Sequence, residues 1–428
     1  MSADQIAHVW YVTAPERWPS PPEPMSVSNL LEIEACPRRW ALAQASYPSV
    51  WEGHGYPEKI SRGSMAGQVV HSSIEIITKA LAKAGCSSGD DPAFGSVMRG
   101  LGGFSKVVDD CIGRVIGRQK DNPRFARLRD MTDRFMREHI SEFREQAKAL
   151  LSRQLSTPKA PGRSDRTKRV SVSGGLGKGM HPEVRLSPEG IGWVGVADLI
   201  KLDGSGCEIV DFKTGEQKPE HAFQVRVYGL LWTRDGKLNP RTVLPNRLTL
   251  AYPSGNVDVL APTMGELEDL DRDLSEKARA VVADLTASPP PARPSADNCR
   301  FCGVRQLCDE YWKEGTQLLL ASEKRSGLTT SEDFVDIEVN IAGRHGPTMW
   351  DGVIVSAGRL LTGAKVIVNP TKSDLEAQAI LAIGGRVRIV GARLTFPDGE
   401  DSDLHLVSIS QFSEVFSCRD NVVTASES

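Results

Sequence analysis

No stretch of about 18 residues in this 428-residue sequence is free of charges or prolines, so no transmembrane helix is expected. Residues 1–24 lack a basic segment followed by an apolar run, and no export signal is read there. Both absences point to the cytoplasm, a reducing compartment. The 8 cysteines are accordingly read as thiols or metal ligands rather than disulfides. Positive charge is not in excess either: 52 Lys and Arg against 55 Asp and Glu leave a net −3. A basic coat is excluded, and any nucleic-acid contact is confined to a local groove. No G-x-x-x-x-G-K-S/T motif occurs, so the chain carries no phosphate-loop motor, and any helicase would be a separate protein. The length argues for two or three globular domains.

Helical periodicity dominates residues 26–83 and again 104–154, the second stretch dense in mixed charge, as on a solvated helix face. Between 156 and 179 the chain is rich in Gly, Ser, Lys and Arg and reads as a loop. Its Lys159, Arg163, Arg166, Lys168 and Arg169 are either phosphate contacts or merely solvated. β-rich runs follow from 181 to 213, then a helix at about 220–234, a strand at 247–252 and a helix at 264–285. A proline-rich spacer at 288–295 leads directly into three cysteines. Beyond about 331 short β-branched runs alternate with glycine turns, with one helix between the third and fourth. That order is expected of an OB-like β-barrel, and another small barrel or sandwich remains open.

The most informative pattern is acidic. Gly195-Val-Ala-Asp198 and Asp211-Phe-Lys213 lie on two runs joined by Asp203-Gly-Ser-Gly206. A hairpin closing on that loop sets Asp198 opposite Asp211, with Cβ atoms roughly 4.5–5.5 Å apart, and Lys213 on the same face. Facing carboxylates repel, and a hard divalent cation, Mg²⁺ or Mn²⁺, between them relieves the repulsion. Such an ion activates water and polarises a phosphoryl oxygen, and a neighbouring ammonium stabilises the charge that develops. His71 and Glu75 stand one turn apart on a helix, where an imidazole could complete a metal site. Gln224 and Tyr228 are spaced likewise on the helix after the hairpin.

Taken in order, Gly67-x-x-x-His71, Gly195-Val-Ala-Asp198, Asp211-Phe-Lys213-Thr-Gly and Gln224-x-x-x-Tyr228 resemble the RecB-type branch of the PD-(D/E)XK nuclease superfamily. That branch includes the CRISPR-associated RecB-like exonucleases, the AddB nuclease domain and eukaryotic exonuclease V. The resemblance covers roughly residues 26–312. It implies an α/β restriction-endonuclease-like core, a mixed sheet flanked by helices. It further implies metal binding by His71, Asp198 and Asp211, a catalytic Lys213, and Gln224 and Tyr228 positioning the lysine and the DNA backbone. Glu183 would be an accessory acid.

Cys299-x2-Cys302-x5-Cys308 gathers three thiols within ten residues, and spacing alone leaves zinc and iron–sulfur both open. Iron–sulfur members of the branch carry one early cysteine before Pro-Arg and three late ones. Cys36-Pro-Arg matches the early position, so the resemblance implies a 4Fe–4S cluster on Cys36, Cys299, Cys302 and Cys308. The expected organisation is an N-terminal extension (1–25), a nuclease domain with its cluster (26–314), a linker (315–331), an OB-like barrel (332–418) and a tail (419–428). Trp350, Phe396 and Phe412 are candidate base stackers on the barrel, although aromatics in small barrels more often belong to the core. The function expected is a metal-dependent DNA exonuclease acting on single strands or ends, in repair, recombination or phage defence, beside a helicase or defence-system subunit. The alternatives are a non-cleaving nucleic-acid scaffold and a partner-recruiting adaptor.

Overall fold

A computed structural model describes residues 10–86, 88–155, 175–203, 206–313, 316, 334–357, 362–395 and 404–418. The basic loop residues Lys159, Arg163, Arg166, Lys168 and Arg169, the candidate stacker Phe396, the expected tail and the expected linker apart from residue 316 lie outside them. Two compact units divide the chain, and neither is continuous in sequence. One comprises Pro21–Leu31 and Lys59–Val282; the other comprises Met1–Ser20, Glu32–Glu58 and Ala283–Ser428.

In the first unit a long helix α1 (Arg62–Lys83) begins where Ser61 accepts a hydrogen bond from the Ser64 amide, satisfying a donor that the first turn leaves unpaired. Its buried face, Met65, Val69, Val70, Ile74, Ile77 and Leu81, repeats at three- and four-residue intervals. Each such side chain contributes about 1.5–3 kcal/mol of burial. This stripe packs with the helices Gly103–Arg118 and Ile140–Leu155 and with sheet residues Leu199, Val210, Phe212 and Ala251. The sheet is mixed. Strands β1 (Gly179–Leu186), β2 (Trp193–Leu202) and β3 (Cys207–Phe212) pair antiparallel in turn. Helix α2 (Pro219–Arg234) then crosses back, so that β4 (Pro245–Tyr252) lies parallel to β3. β5 (Gly255–Val259) returns along β4 through a turn at Pro253-Ser254. This last strand is absent from the sequence reading because its five residues alternate without a strong apolar run.

The second unit holds a closed barrel of five strands. They are β6 (Phe334–Arg344), β7 (Trp350–Ser356), β8 (Lys365–Pro370), β9 (Gly385–Thr395) and β10 (Leu404–Ile409). Helix α3 (Leu375–Ile383) stands between β8 and β9. Neighbours run β6–β7–β8–β10–β9, and β9 pairs β6 to close the ring; β8 and β10 are parallel. A register shift between Ile389 and Ala392, with Gly391 at φ +70°, lets β9 bend enough to serve both neighbours. A further strand, β11 (Glu414–Cys418), pairs along β9. The core of this unit takes in Leu42, Tyr47, Cys302, Leu307 and Trp312 along with the barrel interior. Among the described residues no helix is long and apolar enough to cross a membrane.

Candidate active site

The site forms at the carboxyl ends of β3 and β4, where open α/β sheets bind ligands. The β2–β3 ladder keeps the register expected from its loop, Leu202↔Cys207 through Leu199↔Val210, and stops there. Asp198 and Asp211 follow just past the last pair. Both are buried, at 8% and 3% exposure. Asp198 Oδ2 accepts the Phe212 backbone N–H at 2.6 Å, and Oδ1 lies 3.1 Å from His71 Nε2. Two glycines make these approaches possible. A Cβ on Gly67 would stand 2.9 Å from Thr214 Oγ1, so the missing side chain lets α1 lie against the Asp-Phe-Lys segment and deliver His71 one turn on. A Cβ on Gly195 would meet the Tyr228 ring at 2.8 Å.

The expected metal set was His71, Asp198 and Asp211. The structure brings His71, Glu183 and Asp198 together, with one ligand atom of each within 4.8 Å of the others, and Asp211 interacts with both His71 and Asp198 beside them. Glu183 reaches this position from β1, between the pairs Pro182↔Leu199 and Val184↔Ala197, with φ +52°. A left-handed backbone at a glutamate is strained by about 1 kcal/mol or more, and the surrounding ladder holds it there. The sequence signal was Pro182, which cannot donate to a ladder and marks an irregular strand.

Asp211 turns toward Lys213. Its Oδ2 lies 2.6 Å from Lys213 Nζ, an ion pair at contact distance but out of hydrogen-bond alignment, since that buried oxygen has no hydrogen-bond partner. Lys213 Nζ donates instead to Gln224 Oε1 at 2.6 Å, and Gln224 Nε2 donates to Tyr228 Oη at 2.7 Å. Asp211, Lys213, Gln224 and Tyr228 thus form one polar chain beside the carboxylate–imidazole trio.

The electrostatics are those of a site that lacks positive charge. Burial, and then the Asp198 charge, push the Asp211 carboxyl up to about 7, with Lys213 only partly opposing. Burial and Asp198 likewise lift Glu183 to about 7. Burial works against a charged His71, yet the Asp198 hydrogen bond and the charges of Asp198, Glu183 and Asp211 raise it to about 9. Burial and the same aspartates shift the Tyr228 phenol upward. An imidazole nitrogen and three crowded carboxyls form a donor set that fits a hard divalent cation.

The remaining expected residues fall elsewhere. Cys36, Cys299, Cys302 and Cys308 line a single cavity with Arg39, Arg305 and Tyr311. Trp350 corrects the expectation of a stacking surface: it is 2% exposed, packed in the barrel core with the Arg344 guanidinium 5.2 Å from its ring centre. Its alternation along β7 turns it inward, so it offers no face to a base. Phe412 is exposed. His221 and Tyr252 hydrogen-bond each other beside Lys213; the three-residue spacing from His221 to Gln224 is their one signal in the sequence.

No curated protein sequence matches this chain. The solved structure of SSO0001 is similar at 19% identity over 31% of this chain and 61% of that one, with a TM-score of 0.19, a likeness too slight to bear on the fold. The chain spans less than two thirds of that protein. A sequence profile of the PD-(D/E)XK nuclease superfamily, by contrast, matches residues 24–309, which include every residue of the polar chain and of the trio. The chain therefore belongs to the PD-(D/E)XK nuclease superfamily, whose members are generally divalent-metal-dependent nucleases.

Proposed function

We propose that the protein is a divalent-metal-dependent deoxyribonuclease of the RecB-type branch, acting as an exonuclease on single-stranded DNA or DNA ends. The observation that carries this is the polar chain from Asp211 through Lys213 and Gln224 to Tyr228, abutting the His71–Glu183–Asp198 trio. His71, Glu183 and Asp198 would hold Mg²⁺ or Mn²⁺, with Asp211 beside them. The bound ion would supply an activated water and a polarised phosphoryl oxygen. Lys213, held in place by Gln224, stabilises charge on the phosphate, and Gln224 is fixed in turn by Tyr228. The test is incubation of end-labelled single-stranded and duplex DNA with Mn²⁺ or Mg²⁺. Wild type should shorten DNA progressively from an end, and Asp211→Ala should leave it intact. Equal cutting by both proteins refutes the assignment.

The cysteine cavity supports a 4Fe–4S cluster as the second group. The Arg293 backbone N–H points at Cys36 Sγ at 3.4 Å, a donor suited to a ligating thiolate. Burial pushes the Cys302 thiol up to about 12 and raises Cys299 and Cys308, so thiolates there call for the positive charge of a metal. Iron and acid-labile sulfide in anaerobically purified protein, lost in Cys302→Ser, test it; zinc without iron refutes it.

The strand order β6–β7–β8–β10–β9 with α3 between β8 and β9 supports an OB-like barrel. We assign it to single-strand handling, with Phe412 exposed for stacking. The domain plan 26–314 and 332–418, a cytoplasmic setting in repair, recombination or phage defence, and a separate helicase or defence subunit complete this reading.

A further inference from the structure

His221 lies three residues before Gln224 and seven before Tyr228, so the three share one face of α2. It extends the row that holds Lys213 by one turn, about 5 Å, toward the helix N-terminus. Opposite it stands Tyr252, the last residue of β4. The final parallel pairs, Asp211↔Leu250 and Phe212↔Ala251, put the Tyr252 side chain on the same face of the sheet as Asp211 and Lys213. The Lys213 amide fixes this edge by donating to Ala251 O at 2.8 Å.

The two rings are joined by a hydrogen bond, His221 Nδ1 to Tyr252 Oη at 2.8 Å, with centroids 5.9 Å apart. Tyr252 is 2% exposed. A phenol O–H that donates to Nδ1 leaves the imidazole proton on Nε2. Burial, with Lys213 and Lys218 nearby, keeps the ring in its neutral form. Among the described residues Nε2 has no protein partner. The Nε2 edge of His221 thus stands at the end of the row that leads to Lys213.

We propose that His221 is a substrate-contacting residue whose Nε2–H donates to a backbone phosphate next to the one at Lys213, with Tyr252 positioning it by fixing its tautomer. The proposal rests on the nuclease reading and adds a phosphate subsite to it. A purely structural role, tying α2 to β4, would show in stability and not in substrate affinity.

The test uses the full chain, a labelled single-stranded oligonucleotide and Mn²⁺, with KM and kcat separated and binding measured by polarisation in chelator. His221→Ala should raise KM and Kd on the order of tenfold, as for loss of one hydrogen bond to a charged oxygen, with a smaller change in kcat. His221→Gln, which keeps an N–H near the Nε2 position, should recover most of the loss. In ¹⁵N-histidine spectra Tyr252→Phe should release the tautomer, and affinity should fall less than in His221→Ala. Unchanged KM and Kd in His221→Ala overturn the proposal, as does a wild-type proton on Nδ1. If the wild type binds DNA but cuts no better than Asp211→Ala, the nuclease reading fails. The comparison of Kd between wild type and His221→Ala then still decides the subsite.

Discussion

Asp211→Asn should abolish cleavage and, without metal, make the protein more stable. The buried Asp211 carboxyl is raised from its ordinary 3.8 to about 7, chiefly by burial and then by Asp198, even with Lys213 at contact distance. At roughly 1.4 kcal/mol for each tenfold change, its ionised form is held against a cost of about 4 kcal/mol. An amide removes that cost but takes the ion pair from Lys213, leaving Gln224 as its acceptor. A net gain of about 2 kcal/mol, or about 4–8 °C in melting temperature, is the expectation. The pH window follows from the direction of the shift. A carboxyl with a raised folded value costs nothing below its unfolded value near 4, costs progressively more as pH rises, and reaches its full cost above about 7. Melting curves in chelator at about pH 4 and about pH 8 should therefore coincide for the two proteins in acid and separate in base. Excess Mn²⁺ should raise the wild-type melting temperature and close the gap. A variant that melts lower than wild type near pH 8, or by an equal margin at both pH values, refutes the reasoning.

His71 is raised from 6.5 to about 9, so its charged form adds stability fully below 6.5 and loses it as pH climbs through 9. Metal must displace that proton; calorimetry in buffers of different ionisation heat should show proton release on Mn²⁺ binding, and affinity should rise between about pH 6.5 and 9. Gln224→Ala should lower kcat by about 10- to 100-fold, because Lys213 loses its acceptor, while Tyr228→Phe should cost less; a kcat unchanged in Gln224→Ala counts against the polar chain. Gly195→Ala places a Cβ 2.8 Å from the rigid Tyr228 ring and should destabilise by about 1–3 kcal/mol in thermal unfolding. Gly67→Ala meets only the Thr214 hydroxyl, which can rotate away, and should cost less on the same measure.

Contacts within one element or one hairpin are set by local periodicity, and these were legible. Asp211 and Lys213 share a strand face because side chains alternate, and Gln224 and Tyr228 share a helix face because they lie four residues apart. The short loop between β2 and β3 fixes their register, which the ladder keeps to Leu199↔Val210. Five barrel strands with a helix after the third were equally readable, since each run announces itself by β-branched residues between glycine turns.

Only the tertiary structure showed that Glu183 stands with His71 and Asp198: Pro182 marks an irregular strand in the sequence, but the left-handed backbone at Glu183 and the point where the β2–β3 ladder ends are set by pairing with distant segments. Trp350, which the sequence leaves open as base stacker or core, is core, because burial is a property of the closed ring and not of the residue type. The pairing of His221 with Tyr252, 31 residues apart, likewise needed the crossover that sets β4 beside β3. Sequence wrote the residues of the polar row; the folded sheet edge decided which of them meet, because those meetings are made by segments distant in the chain.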